Sequence, residues 1–104
     1  MDARKRRRLE KAGYRTTDAR DFVGLSAEED SMIRTRLALV RHIRARRAEL
    51  GWTQAQLAKA MGSTQARVAK LESASPEVSV DLLLRGAFAL GSTPKDLSRA
   101  LKAA

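Results

Sequence analysis

The chain has 104 residues, with 21 Lys and Arg against 12 Asp and Glu, no cysteine, and a formal net charge of +9 at pH 7. That length supports one domain with a single core and no covalent staples, and the lack of cysteine fits a reducing compartment. No apolar run approaches the length of a membrane span, and residues 9–13 are too polar for the apolar segment of a secretory signal, so the sequence predicts a cytoplasmic protein without a membrane partner.

In chain order, residues 1–13 are charged and poor in large apolar side chains and read as a flexible basic arm. Within it Arg4, Lys5, Arg6, Arg7 and Arg8 read equally well as phosphate contacts or as charges that keep the arm solvated. Residues 14–31 read as a helical extension, with Thr17 placed to cap a short helix over 18–23 that Gly24 ends. Ser26 and Glu29 then form an S-x-x-E capping box, and nothing breaks the helix before Gly51, which predicts one long helix over 27–50. Leu39, Val40, Ile43, Arg47 and Leu50 fall on its core-facing side. Met32, Ile33 and Leu37 lie on its N-terminal half, where something else in the chain, a second copy or another protein must cover them.

Residues 52–73 read W-T-Q-A-Q-L-A-K-A-M-G-S-T-Q-A-R-V-A-K-L-E-S and predict two short amphipathic helices around a glycine turn. Thr53 and Gln56 make a capping box, Leu57, Ala58 and Met61 share one face, and Gly62 ends the helix. Ser63 or Thr64 starts the next, whose Val68 and Leu71 turn inward while Gln65, Ala66, Arg67 and Lys70 turn outward. Amide and guanidinium groups in the first turn of such a helix match adenine and guanine edges in the major groove of double-stranded DNA. Taken singly, Gln54 and Gln65 read as readily as good helix formers, and Arg67 and Lys70 as a solvated face. Their common register favours DNA. Trp52 reads as a core plug beside Leu50. Beyond the motif, Ser75-Pro76 breaks the chain, Ser79 caps a helix over 80–90, and Thr93-Pro94-Lys95-Asp96 opens a last helix with Leu97 and Leu101 as core contacts. Leu82, Leu83, Leu84, Phe88 and Leu90 exceed what one helix face buries, which predicts a partner or a symmetry mate there.

The charge is unevenly divided. Residues 1–31 hold eight basic and seven acidic groups, 32–73 nine and two, and 74–104 four and three. The excess therefore sits in the segment that carries the two-helix motif, as a polyanion binder requires.

The run T-Q-x-x-L-A at 53–58, M-G at 61–62, T-Q at 64–65 and V-x-x-L-E at 68–72 resembles the Cro and repressor-like helix-turn-helix family of phage and bacterial regulators, over roughly residues 39–101. The resemblance implies an all-α, compact five-helix domain, here residues 32–104 with the helical N-terminal extension in front. It also implies that Gln54 bonds a DNA phosphate and braces Gln65, that Gln65 reads a base edge, and that Thr64, Ala66, Arg67 and Lys70 hold the remaining DNA-facing positions. Ala66 departs from the polar residue common there and leaves only apolar contact, such as with a thymine methyl. The family pairs an Arg late in its first helix with the Glu that closes the recognition helix, and Arg47 and Glu72 stand at those positions.

Residues 11–30, K-A-G-Y-R-T-T-D-A-R-D-F-V-G-L-S-A-E-E-D, ahead of such a domain resemble small antitoxins of the HigA type. That resemblance implies a dimeric repressor of its own operon that also binds a ribosome-dependent, messenger-cleaving toxin, with Phe22, Val23, Leu25, Ile33 and Leu37 as the partner-binding residues. A stand-alone phage-like repressor without a toxin is the first alternative, and a protein- or RNA-bridging module on the same fold is the second. Catalysis has little footing: the single His42 sits among arginines and reads as a surface residue, paired carboxylates are absent, and the chain offers neither a metal-ligand set nor a cofactor loop. No enzyme, metal or cofactor is expected.

Overall fold

The computed structural model describes residues 26–103, so the arm at 1–13, the short helix expected over 18–23, and Phe22, Val23 and Leu25 lie outside the described residues. Five helices follow one another: α1 (Ala27–Leu50), α2 (Gln54–Met61), α3 (Gln65–Glu72), α4 (Val80–Ala89) and α5 (Pro94–Lys102). No strand occurs among the described residues, and the architecture is the all-α, five-helix arrangement of Cro and repressor-like domains. By its contacts the chain divides into Met1–Ile33 and Arg34–Ala104.

The described part of the first unit is the opening of α1. The Ser26 hydroxyl accepts from the Glu29 amide at 3.0 Å, and the Ser26 amide donates back to the Glu29 carboxylate at 3.0 Å. Glu28, Glu29 and Asp30 place negative charge against the positive end of the helix dipole. Met32 and Ile33 are 63 % and 41 % exposed.

In the second unit, positions 36, 40, 43 and 47 of α1 recur at helical spacing, and the stripe begins and ends in arginine. Val40 and Ile43 are buried between them. Arg36 donates from Nη2 to the carbonyl of Ser75 at 3.1 Å and, more tightly, to that of Val78, which ties the loop after α3 to α1. The neighbouring row carries Leu39, His42 and Arg46. His42 Nε2 lies 2.7 Å from Ser92 Oγ, and Arg46 Nε donates to the Leu90 carbonyl at 3.3 Å. His42 is thus half-buried and bonded to the buried Ser92, not a surface residue as its arginine neighbours implied, because the α4–α5 turn folds over that face of α1.

Helix α2 packs against α3 and α4. Its start is fixed by the Thr53–Gln56 capping box, with bonds of 3.1 and 2.7 Å. Its end is fixed by Gly62 at φ 68°, where the amides of Gly62 and Ser63 reach the carbonyls of Lys59 and Ala58 at 3.1 and 2.8 Å. A side chain at that left-handed position would crowd the following carbonyl, so glycine sets the sharp turn into α3. At Gly86, buried in α4, a methyl group would stand 3.4 Å from both Ile43 Cδ1 and Leu71 Cδ1. Those are ordinary van der Waals distances, and they place this turn of α4 directly against α1 and α3.

Helix α5 opens on the Thr93–Asp96 box with Pro94 in its first turn. The amide and hydroxyl of Thr93 donate to Asp96 and hold its carboxyl below the usual carboxylate range. Two large residues depart from the expected core, Leu50 and Leu101. Leu50 is 37 % exposed because it lies one turn beyond Arg47, whose guanidinium closes that end of the core, while Trp52 is partly buried against it. Leu101 is 40 % exposed in the last turn of α5, and together with Phe88, 46 % exposed, it lines an open apolar groove between α4 and α5. Leu83 and Leu90 are fully buried and Leu82 and Leu84 pack partly against the core, so Phe88 is the residue of that group left outside.

Candidate nucleic-acid interface

Thr64 caps α3 from an extended conformation, its hydroxyl accepting from the Arg67 amide at 3.2 Å. This choice leaves Gln65, Ala66 and Arg67 as the first turn of α3, and all three are exposed. Val68 and Leu71 are fully buried, so α3 is anchored by its inner row and offers Gln65, Ala66, Ala69 and Lys70 on its outer rows. With its side chains an α-helix is about 10 to 12 Å across. The outer face of α3 therefore fits a major groove about 12 Å wide.

The end of α3 is held by a node of charged hydrogen bonds. Arg47 donates from Nε to Glu72 Oε2 at 2.6 Å and from Nη2 to Glu72 Oε1 at 2.8 Å, while its Nη1 donates to the Trp52 carbonyl at 2.8 Å. One guanidinium thus joins the end of α1, the loop before α2 and the last residue of α3. Glu72 is 5 % exposed. Burial by itself pushes its carboxyl up, but the hydrogen bonds from Arg47 and Gln54 and the charges of Arg47 and Arg44 outweigh it and hold Glu72 below the ordinary carboxylate range. The bond to Glu72 in turn raises Arg47 above its usual value.

Gln54, the first residue of α2, donates from Nε2 to Glu72 Oε1 at 3.2 Å. The brace to Gln65 implied by family resemblance is not formed in the unbound chain; the ionised carboxylate, the strongest acceptor within reach, takes the amide instead. Lys70, expected on the outward, groove-facing side of α3, is exposed there and pairs with Glu77 of the following loop at 3.0 Å. Arg67 carries no such partner among the described residues and lines, with Lys70, Glu77, Asp81 and Arg85, an open groove between α3 and the start of α4. Ile33 is exposed and Leu37 half-buried.

Sequence reasoning missed Arg36, Arg46 and Glu77. The arginines were legible in principle, since they share helical rows with Val40 and Ile43 or with Leu39, but their carbonyl partners lie about forty residues away. Nothing local marks Glu77 as the partner of Lys70. Part of the positive charge assigned to polyanion binding is accordingly used inside the protein: Arg36, Arg46 and Arg47 cap carbonyls or a carboxylate, leaving Arg41, Arg44, Lys59 and Arg67 among the exposed cations of residues 32–73.

Among the described residues no group of three or more His, Cys, Asp or Glu is placed to hold a metal ion, and no helix is long and apolar enough to cross a membrane. No curated protein and no solved structure matches the chain. The helix-turn-helix family model matches residues 43–101, more than half of the chain, and spans α2, α3 and the helices that pack around them. The chain therefore belongs to the helix-turn-helix family, in its Cro and repressor-like branch, and carries a DNA-binding domain.

Proposed function

We propose that the protein is a sequence-specific transcriptional repressor and, more narrowly, the antitoxin of a type II toxin–antitoxin pair that neutralises its toxin and represses its own operon as a homodimer. The observation that carries the DNA reading is the exposed first turn of α3 in a chain of this family, where Gln65 and Arg67 present an amide and a guanidinium without side-chain partners among the described residues. Gln65 reads adenine, Arg67 reads guanine, and Ala66 meets a thymine methyl. Thr64 and Gln54 sit at the helix starts, where backbone phosphates are held. Dimerisation follows from the need to read two half-sites one turn apart, and the apolar surface of Phe88 and Leu101 offers a second copy a place to pack.

The antitoxin role is supported by the run at 11–30 and by the exposed Met32 and Ile33 next to it. Phe22, Val23, Leu25, Ile33 and Leu37 would form the toxin-facing surface.

Binding to the DNA just upstream of its own gene tests the regulator. Gln65→Ala and Arg67→Ala should each weaken that complex by about 1 to 3 kcal/mol and affect unrelated DNA much less. Equal losses on both would remove the base-reading roles. Co-purification with the product of an adjacent reading frame tests the antitoxin. Operator binding without such a partner returns the reading to a stand-alone repressor, and a partner without operator binding to a bridging module.

A further inference from the structure

The groove beside the recognition helix is not uniformly basic. Arg67, Lys70 and Arg85 line it together with Glu77 and Asp81, in a chain that has only 12 acidic residues. Within it Lys70 Nζ lies 3.0 Å from Glu77 Oε1, with the two side chains 61 % and 73 % exposed. A surface pair of this kind adds little to stability. What distinguishes it is that Glu77 is held in place by the fold. The loop on either side of it is anchored by Arg36, which takes the carbonyls of Ser75 and Val78. Val78 is buried, and the Glu77 amide donates to Ser75 Oγ at 3.3 Å. The anchored backbone therefore keeps the root of the Glu77 side chain beside α3, within reach of Lys70.

We infer that Glu77 is a built-in competitor for DNA phosphate: it occupies Lys70 in the unbound protein and repels the backbone that would take its place, which weakens binding to DNA of any sequence. Binding to unrelated DNA is almost wholly electrostatic, so it has no other interactions with which to offset the missing cation. The same penalty applies wherever Lys70 would meet a phosphate, so Glu77 sets the overall strength and salt dependence of DNA binding and leaves the ratio between operator and unrelated DNA unchanged. This rests on the DNA reading above.

The test uses the full chain and a duplex of unrelated sequence. Glu77→Gln keeps the size of the side chain, removes its charge and should leave the melting temperature unchanged. It should bind the unrelated duplex about two- to fivefold tighter than the parent, matching the worth of an exposed ion pair, with a steeper salt dependence. In a Lys70→Met background the same substitution should have a markedly smaller effect, because the competition is for Lys70. If the parent binds the duplex and Glu77→Gln binds it no more tightly, the competitor role is overturned while the DNA reading stands. An undiminished gain in the Lys70→Met background also overturns it, by showing a general charge effect. A parent that binds no duplex of any sequence overturns both.

Discussion

At the scale of single residues, Glu72 is the buried carboxylate on which three charge-assisted hydrogen bonds converge. It is almost fully buried, takes two hydrogen bonds from Arg47 and one from Gln54, and closes α3. Removing Arg47 leaves Glu72 as an unpaired buried charge and should destabilise the fold by about 3 to 5 kcal/mol in urea denaturation, while removing Glu72 leaves a half-buried Arg47 that keeps the Trp52 carbonyl and should cost somewhat less. Joint replacement by Met and Leu should cost clearly less than the sum of the singles. If the single variants unfold at the parent's urea concentration, the node is decoration. The pair also makes stability depend on pH. The folded carboxyl titrates below its unfolded value of about 4.3, so its contribution is complete above that value and is lost as pH falls through the lower, folded one. The parent's melting temperature should therefore drop below about pH 4, and Glu72→Gln should melt lower but lose less over that range. Asp96, shifted the same way by Thr93, leaves some acid sensitivity in the variant.

The helix ends carry the logic at the scale of elements. Helix α2 stops on the left-handed Gly62, whereas α3 stops on Ser73 and the left-handed residue, Ala74 at φ 61°, comes one position later. The bonding at Ala74 is that of a paired cap: the amide of Ser75 reaches the Lys70 carbonyl and that of Ala74 the Leu71 carbonyl, each at 3.2 Å. Alanine there bears the left-handed cost that glycine avoids. Ala74→Gly should therefore stabilise the domain by about 0.5 to 1 kcal/mol, net of the extra freedom glycine has when unfolded. A neutral or lower melting temperature would show that the cap is not strained. Sequence and structure agree most closely at such ends. The Ser26, Thr53 and Thr93 boxes were all legible because each is closed within four residues, and they place α1, α2 and α5 where the sequence put them. Helix α4 stops one residue early, with Leu90 as its cap ahead of Gly91.

For the whole molecule, the question is what the N-terminal third adds to a domain that otherwise holds its own core. Met32 and Ile33 are exposed on α1, and Phe22, Val23 and Leu25 precede them in sequence. Deleting residues 1–25 should leave a chain with native-like helix content by circular dichroism that no longer binds its toxin or no longer dimerises, the latter read by sedimentation. Retention of both would remove the segment from the partner surface. Loss of folding would make it ordinary core. DNA binding by the truncated chain should also weaken alike on all sequences if the arm's arginines touch phosphates, and its salt dependence should become shallower in proportion to the number of phosphates the arm neutralised.

The sequence by itself determined the helical elements, their caps, the inward positions Leu57, Val68 and Leu71, and the outward first turn of α3, because hydrogen bonds to the third or fourth neighbour and the helical period act within a few residues. The Arg47–Glu72 pairing entered only through resemblance, since no local pattern links positions 25 residues apart. Only the tertiary structure decided that Arg36 caps the carbonyls of a distant loop, that His42 meets Ser92, that Gln54 bonds Glu72, and that Lys70 is held by Glu77. Each of those is a choice among several chemically adequate partners, and the partner taken is the one that packing brings within about 3 Å.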